Sequence, residues 1–237
     1  MAHKIDYYYV SNIGLRRKKN QDNLIVNSEI LPQIHENIEI KKGSTYTEDK
    51  QIFGVFDGLG GEKEGEVASY IAAKTFKDNK KTLEENCMLA NKNICDYMDK
   101  NEIDYMGTTA AILSFEENII NLLNLGDSKI YRFSENIISQ ISVDHVDIAY
   151  GKAKPALYQH IGIRPDELII EPEIKSIKYK SKDKYLICSD GLSDMLSEKE
   201  IEKIVSKNNE KVAHVLLQEA LNKGAKDNIT FIFIALE

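Results

Sequence analysis

Four short apolar segments punctuate the 237-residue chain and predict buried β-strands. Each is between four and eight residues long and rich in β-branched or aromatic side chains, which favours a strand over a helix. The segments cover residues 52–56, 119–125, 185–188 and 229–235. Residues 22–26 and 129–133 show the same character more weakly and are predicted as two further strands.

Four helices are predicted from apolar residues that recur at the 3.6-residue period. Capping boxes, T-x-x-E at residues 82–85 and S-x-x-E at 197–200, open helices that run to about Lys100 and over residues 201–205. Apolar spacing predicts two more, at 67–76 and at 212–220, the last with Gly224 as its C-terminal cap. The helices fall in two groups with strands between them, which predicts an α+β fold in a single domain over residues 1–237.

Two segments lack a regular pattern. Residues 29–50 contain KKGSTYTEDK and are expected to form an exposed hairpin or loop. Residues 144–172 contain three of the four prolines, Pro155, Pro165 and Pro172, and are expected to be irregular.

Composition narrows the class of protein. The formal charge is −7, with no basic stripe, which argues against nucleic-acid and anionic-membrane partners. No apolar run reaches the length of about 18 residues that a membrane span requires, and the N-terminus lacks a signal-peptide pattern. The three cysteines, Cys87, Cys95 and Cys188, form no CxxC pair, so a reducing cytoplasm is the expected location.

Candidate chemistry lies where apolar segments stop. Aspartates occur at or beside the ends of four predicted strands: Asp57, Asp127, Asp190 and Asp227. Each alone has an ordinary explanation, since Asp-Gly pairs form turns and aspartates cap helices. Their recurrence at strand ends indicates a shared site, and converging carboxylates favour hard cations such as Mg²⁺ or Mn²⁺, which prefer oxygen ligands.

Seven motifs, in order, resemble the metal-dependent Ser/Thr protein phosphatases of the protein phosphatase 2C type, and most closely their bacterial members. They are RKKNQDN (17–23), FGVFDGLGGEKEGEVAS (53–69), MGTTAAI (106–112), NLGDSKIYRF (124–133), SVDHV (142–146), ICSDGLSDML (187–196) and GAKDNITFI (224–232). The resemblance implies a four-layer sandwich of two antiparallel sheets with helices outside, and hydrolysis of phosphoserine and phosphothreonine in proteins.

The resemblance also implies roles for individual residues. Asp57 would bridge two Mn²⁺ or Mg²⁺ ions, and the Gly58 carbonyl would bind one of them. Asp190 and Asp227 would complete the ligands of one ion. Asp22, with Gln21 beside it, would contact the other ion through water. Asp127 and Asp194 match a third metal position, although Asp127 could equally be a turn former and Asp194 an exposed loop charge or cap.

Arg17 matches the phosphate-binding arginine of the family. Its planar guanidinium can hold two phosphate oxygens, and the hydroxide that attacks phosphorus would come from water shared by the two ions. A solvated charge run over residues 16–19 is the alternative, with Arg16 as the local competitor. No cysteine nucleophile is needed, and Cys188, on an apolar strand, is expected in the core.

The chain departs from the family pattern at three places. Leu59 and Glu62 stand where relatives carry histidines suspected of proton delivery. A metal-bound water or Glu62 would instead protonate the leaving oxygen. His145 matches a family histidine and is expected to be structural. The segment from Asp147 to Pro165 is a shortened flap, which predicts an open cleft with loose peptide selection, or a partner that supplies the missing wall.

Three functions therefore remain open at the level of the sequence. The first is an active protein phosphatase that acts on phosphoprotein substrates and opposes a Ser/Thr kinase. The second is a catalytically weak or inactive binding module, against which the retained aspartates, Gly58 and Arg17 argue. The third is a metal-dependent hydrolase of small phosphate esters or nucleotides.

Overall fold

The computed structural model describes residues 3–59, 64–78, 81–135, 137–147, 156–207 and 209–237. Glu62 and most of the shortened flap, residues 148–155, lie outside this part of the chain. Within the described residues the strands, in chain order, are β1 (Lys4–Asn12), β2 (Asn23–Val26), β3 (Glu29–Ile30), β4 (Ile38–Tyr46), β5 (Gln51–Phe56), β6 (Gly58–Leu59), β7 (Gly107–Thr108), β8 (Ala110–Glu116), β9 (Ile119–Leu125), β10 (Lys129–Ser134), β11 (Ile137–Gln140), β12 (Val146–Asp147), β13 (Ala156–Leu157), β14 (Glu173–Lys178), β15 (Lys184–Cys188) and β16 (Ile229–Leu236). The helices are α1 (Gly65–Asp78), α2 (Leu83–Lys100), α3 (Asp190–Ser193), α4 (Glu198–Val205) and α5 (Asn209–Asn222).

Two six-stranded sheets form the centre of the fold. Sheet A has the order β11-β10-β15-β16-β1-β4, and sheet B has the order β14-β9-β8-β5-β2-β3. All pairings within both sheets are antiparallel. Two-stranded pairs, β6-β7 and β12-β13, lie apart from the main sheets.

A core of alternating side chains joins the two sheets face to face. Phe53 and Val55 from sheet B pack in the same cluster as Tyr185, Ile187 and Ile232 from sheet A. Neighbouring residues along the same strands point the other way and meet helices instead. This burial on both faces explains why the central strands read as continuous apolar runs rather than as alternating polar and apolar positions.

The helices cover the outer faces of the two sheets. Helices α1 and α2 pack on sheet B around Ile112 and Leu123, and α3, α4 and α5 pack on sheet A around Leu186 and Phe231. The predicted four-layer α+β sandwich is thereby confirmed. Both predicted capping boxes form, with reciprocal bonds between Thr82 and Glu85 and between Ser197 and Glu200. Among the described helices, none combines the length and the apolar character needed to cross a bilayer.

The two segments without a regular sequence pattern differ in the structure. Within residues 29–50, expected to be a hairpin or loop, β4 is a nine-residue edge strand that pairs with β1. Its alternating polar and half-buried side chains are those of an edge strand with one side open to solvent. The described part of 144–172 contains only the two-residue strands β12 and β13, as its prolines predicted.

Candidate active site

The antiparallel order brings the predicted aspartates to one end of the sandwich. In sheet B, the end of β5 lies beside the start of β2, because Phe56 pairs with Asn23. In sheet A, the end of β15 lies beside the start of β16, because Cys188 pairs with Phe231. Residues that follow one strand and residues that precede its neighbour therefore share an edge, whatever their separation in sequence.

A buried hydrogen bond ties the two sheet ends together. The Ser189 hydroxyl donates to Asp22 Oδ2 at 2.9 Å, across the gap between sheet A and sheet B. The Thr230 amide donates to the Ser189 hydroxyl at 3.0 Å, which fixes its orientation. Asp22 is almost fully buried, so its ionisation depends on this burial, on the bond from Ser189 and on the neighbouring charges.

The backbone of Asp57 is held by Thr108, the last residue of β7, and by Thr109, which follows it. Its amide donates to Thr109 Oγ1 at 3.0 Å, and its carbonyl accepts from the Thr109 amide at 2.9 Å and from Thr108 Oγ1 at 2.9 Å. Thr109 Oγ1 also lies 2.6 Å from the Ser128 hydroxyl. Because the backbone on both sides of Asp57 is pinned, its carboxylate leaves β5 in a defined direction.

Gly58 occupies a space that no larger residue fits. A Cβ added there would lie 2.3 Å from the Gly65 carbonyl oxygen and 2.4 Å from the Gln21 carbonyl oxygen. Both are backbone atoms, so they cannot move aside without displacing the start of α1 or the segment before Asp22. The glycine therefore allows three segments of the site to approach one another.

Gly58→Ala is expected to lower the stability of the protein by about 1–3 kcal/mol, because the added methyl group overlaps backbone. The measurement is the free energy of unfolding in urea. The control is Gly54→Ala on the same region of sheet B, where the added Cβ would meet the Ile112 side chain at 2.9 Å rather than backbone. A loss at Gly58 no larger than at Gly54 would contradict the packing argument.

Asp190 and Asp227 come together through Asn228. Asp190 is the first residue of α3, and the N-cap position belongs to Ser189 before it, so Asp190 is not the helix cap that the sequence offered as an alternative. A Cβ on Gly191 would lie 1.9 Å from the Asn228 carbonyl oxygen, which shows how closely α3 meets the segment that carries Asp227. Asn228 in turn accepts from the Gln21 amide at 2.9 Å and donates to the Ile13 and Lys19 carbonyls.

Arg17, rather than Arg16, reaches the aspartates. Its Nη2 donates to Asp227 Oδ2 at 2.5 Å, and this hydrogen bond is the main reason that the pKa of Arg17 is raised. The charges of Asp57 and Asp190 act on it in the same direction. The side chain remains 44% exposed, so its guanidinium is accessible from solvent while it faces the acidic group. Arg16 is exposed on the neighbouring surface.

The carboxylates influence one another's ionisation. Burial, followed by the charges of Asp22, Asp190, Asp127 and Asp227, raises the pKa of Asp57 well above its usual range. Burial is also the largest cause for Asp22, whose pKa rises to about 7 although its bonds from Thr230 and Ser189 act in the opposite direction. Mutual repulsion of this kind is what a bound cation relieves.

The remaining predicted residues lie in different places. Asp127 follows β9 and is close enough for its charge to act on Asp57, whereas Asp194 is exposed just beyond α3. Leu59 is half-buried in β6, and Glu62 lies outside the described residues. His145 is buried and binds backbone, since the Gly126 amide donates to its Nδ1 at 3.2 Å. Cys188 is fully buried, and burial raises its pKa to about 12, which makes it unsuited to nucleophilic attack.

The donor set fits a hard divalent cation by its chemistry. The side chains that act on Asp57 are all carboxylates, and the adjoining backbone at Gly58 offers a carbonyl oxygen, so every donor is oxygen. As the side chains stand in the described part of the chain, no three histidine, cysteine or acidic groups are gathered tightly enough to hold a metal ion. The carboxylates therefore sit near one another without forming a ready coordination sphere.

Sequence reasoning missed the residues that hold the aspartates in place. Ser189 orients Asp22, Asn228 joins three segments, and Thr109 with Ser128 supports Asp57. A signal existed for three of them, because they adjoin aspartates of the motifs: Ser189 before Asp190, Asn228 after Asp227, and Ser128 after Asp127. Thr109 lies in MGTTAAI, a motif without an aspartate. Their cross-strand partners could not be identified without the strand order.

Comparison with known proteins places these features in a family. The model of the protein phosphatase 2C family matches residues 42–224. A serine/threonine phosphatase (stp) of Listeria innocua is 27% identical over an alignment of 233 residues. The match covers 85% of this chain and 91% of the relative. A crystal structure of a bacterial serine phosphatase has a TM-score of 0.80 at 25% identity, with 98% of this chain and 97% of that chain covered.

The fold is also shared with the catalytic domain of the serine/threonine protein phosphatase PstP, solved in complex with two manganese ions. The TM-score is 0.77 at 24% identity, with 98% of this chain and 99% of that chain covered. The predicted family and the predicted class of enzyme, a protein serine/threonine phosphatase, are confirmed by these matches. With its four-layer fold and the family match over most of its length, this chain belongs to the protein phosphatase 2C family.

Proposed function

We propose that this protein hydrolyses phosphoserine and phosphothreonine in proteins, with two divalent cations, Mn²⁺ or Mg²⁺, held at the aspartate edge of the sandwich. The observation that carries the proposal is the approach of Asp22, Asp57, Asp190 and Asp227, from four separate segments, with Arg17 bound to the last of them. Four mutually repelling carboxylates beside one guanidinium suit cation binding and phosphate chemistry together.

Asp57 with Asp190 and Asp227 would hold one cation, Asp57 with Asp22 and Gln21 would face the other, and the Gly58 carbonyl would bind one of the two. When bound, the cations would supply Lewis-acid chemistry by activating water and neutralising phosphoryl oxygens. Small side-chain rotations of the four aspartates are required for this. The backbone bonds of Asp57 and the Ser189 bond to Asp22 leave such rotations local, since they hold the strands in place.

Arg17 would bind the phosphate. Its exposed guanidinium can offer two parallel N–H groups to two phosphate oxygens, which orients the ester for in-line attack. The Asp227 bond keeps the guanidinium over the acidic edge in the meantime. Once cations neutralise the aspartates, charge balance favours transfer of the Arg17 guanidinium from one anionic partner, Asp227, to another, the phosphate.

Proton delivery to the leaving serine or threonine oxygen would not use a histidine after the Asp-Gly pair, because Leu59 stands there. Water at the site or Glu62 would deliver this proton.

Asp127 and Asp194 are the residues proposed for a third cation. Of the two, Asp127 has support from its charge acting on Asp57, and Asp194 rests on the motif alone. A cytoplasmic location and an opposing Ser/Thr kinase complete the proposal.

The test is turnover of a phosphothreonine peptide with Mn²⁺, with Mg²⁺ and with EDTA. We expect metal-dependent turnover that EDTA abolishes. Isothermal titration with Mn²⁺, in wild type and in Asp190→Asn, separates metal binding from chemistry. Folded protein that binds Mn²⁺ but turns over neither peptides nor nucleotides would favour the inactive binding module. Turnover of nucleotides in preference to phosphopeptides would favour a small-ester hydrolase.

A further inference from the structure

A chain of hydrogen bonds between side chains runs from His35 to Asp22. His35 lies half-buried between β3 and β4, and its Nε2 lies 3.3 Å from the Ser11 hydroxyl of β1. The Ser11 hydroxyl lies 2.8 Å from the Thr230 hydroxyl of β16, and the Thr230 side chain bonds to Asp22. Ser11 and Thr230 are fully buried, so bulk solvent does not reach the links between them. We call this set of four side chains the relay chain.

The partners of His35 and Ser11 limit the directions in which these bonds can point. His35 Nδ1 lies 2.9 Å from the Pro32 carbonyl oxygen, and a carbonyl only accepts, so Nδ1 carries a hydrogen. Asn20 Nδ2 donates to the Ser11 hydroxyl at 2.9 Å, and an amide nitrogen does not accept in return. The single hydroxyl hydrogen of Ser11 therefore goes either to His35 Nε2 or to Thr230.

The two ends of the relay chain are coupled by the number of hydrogens between them. Its three links contain only two hydroxyl hydrogens, one from Ser11 and one from Thr230. When Thr230 donates to Asp22, it must accept from Ser11. Ser11 must then accept from His35 Nε2, so His35 carries a hydrogen on both nitrogens and is an imidazolium.

A neutral His35 reverses the relay chain. Its Nε2 then accepts from Ser11, and Ser11 accepts from Thr230. The Thr230 hydrogen is no longer directed at the Asp22 carboxylate, which keeps the bond from Ser189. The charge on His35 thus determines whether one or two hydroxyls donate to Asp22.

The charge of His35 is determined close to the ring itself. Burial is the largest influence on the pKa of His35 and lowers it, whereas the bond to the Pro32 carbonyl acts in the opposite direction. Of the two elements that contact the ring, β1 presents the uncharged Ser11, and its own segment presents the Pro32 backbone. Glu36, the next residue in the chain, is exposed, and no charged side chain of the described residues contributes to this pKa.

We propose that His35 is a positioning residue for Asp22, and that its protonation, passed through the Ser11 and Thr230 hydroxyls, sets whether Thr230 donates to the carboxylate. When His35 is charged, Thr230 and Ser189 together hold Asp22, and when His35 is neutral, Ser189 holds it alone. The effect on catalysis rests on the proposed function, in which Asp22 faces a cation. The hydrogen-bond coupling does not depend on that function and can be tested without it.

The first test follows the His35 ring by heteronuclear NMR in protein saturated with Mg²⁺ and compares the pH midpoint of its titration. Thr230→Val leaves Ser11 free to donate to neutral His35, so the midpoint should fall by about half a pH unit to one pH unit. Thr230→Ser keeps a hydroxyl and should keep the wild-type midpoint. Thr109→Val is the matched control, because it alters a buried threonine at Asp57 and should leave the midpoint unchanged. Equal midpoints in wild type and Thr230→Val would overturn the proposal.

The second test needs neither a cation nor turnover. In EDTA, Asp22→Asn presents an amide that can donate to Thr230, which supplies the third hydrogen from the opposite end and favours neutral His35. Asp190→Asn is its matched control, because it removes a negative charge that acts on Asp22 without removing a member of the relay chain. The His35 midpoint should be lower in Asp22→Asn than in Asp190→Asn. An equal or higher midpoint would reject the coupling, even if Thr230→Val does not fold.

The third test measures the consequence for turnover of a phosphothreonine peptide. His35→Leu leaves Ser11 free to donate to Thr230 at every pH. The ratio of kcat/KM in wild type to that in His35→Leu should therefore be near one below the His35 midpoint and fall about two- to tenfold above it. A ratio that stays constant through the midpoint would reject the positioning role. Absence of turnover in every variant would contradict the proposed function alone, since the NMR comparison in EDTA still decides on the coupling.

Discussion

Replacing Asp57 by asparagine is expected to reduce turnover of a phosphothreonine peptide by about 1000-fold or more. The carboxylate lies among four others that act on its ionisation, and it is the residue proposed to face both cations. Loss of one shared anionic ligand removes several kcal/mol of charge stabilisation, and each 1.4 kcal/mol corresponds to about tenfold in rate. Single-turnover kinetics with saturating Mn²⁺ measures the loss.

The Asp57→Asn variant should remain folded. Burial and neighbouring negative charge disfavour the ionised form of Asp57, so removing the charge relieves repulsion in the metal-free protein. Its thermal midpoint in EDTA is therefore expected to equal or exceed that of wild type, whereas Mn²⁺ should stabilise wild type more than the variant. Asp49→Asn, in an exposed turn, is the control and should leave turnover unchanged. Undiminished turnover in Asp57→Asn would refute the assignment of Asp57 as the shared ligand.

Arg17→Ala is expected to lower kcat/KM for phosphopeptides by about 100-fold, because the phosphate loses a charge-assisted, two-point contact. Arg17→Lys should recover only part of this loss, since an ammonium is a point charge and cannot hold two oxygens in one plane. Arg16→Ala supplies the matched control, as the adjacent arginine is exposed and carries the same charge. The measurement is kcat and KM for each variant on one phosphothreonine peptide.

The Arg17 and Arg16 variants together separate two explanations of the basic run. If residues 16–19 act only as a diffuse positive surface, the two alanine variants should lose activity equally, and added salt should abolish both effects. If Arg17 binds phosphate directly, its loss should far exceed that of Arg16 and should persist at high salt. The 2.5 Å bond to Asp227 favours the second outcome, because it directs the guanidinium towards the aspartates.

Local patterns in the sequence determined the bounds of four buried strands and the starts of two helices. Continuous apolar runs predicted β5, β9, β15 and β16 to within a residue at each end, because strands buried on both faces are built mainly from apolar side chains. Capping boxes predicted the starts of α2 and α4, since those bonds join residues three apart. The edge strand β4 escaped detection because one side faces solvent and permits a polar, lysine-rich sequence.

Only the tertiary structure decided which residues meet. Asp22 and Ser189 are 167 positions apart and Arg17 and Asp227 are 210 apart, yet each pair is joined by a hydrogen bond. Antiparallel pairing within each sheet and the facing of the two sheets create these contacts, and both depend on strand order, which periodicity does not encode. For the same reason, the motif order pointed to the aspartates and Arg17, whereas the roles of the supporting Ser189, Thr109 and Asn228 were visible only once the strands were in place.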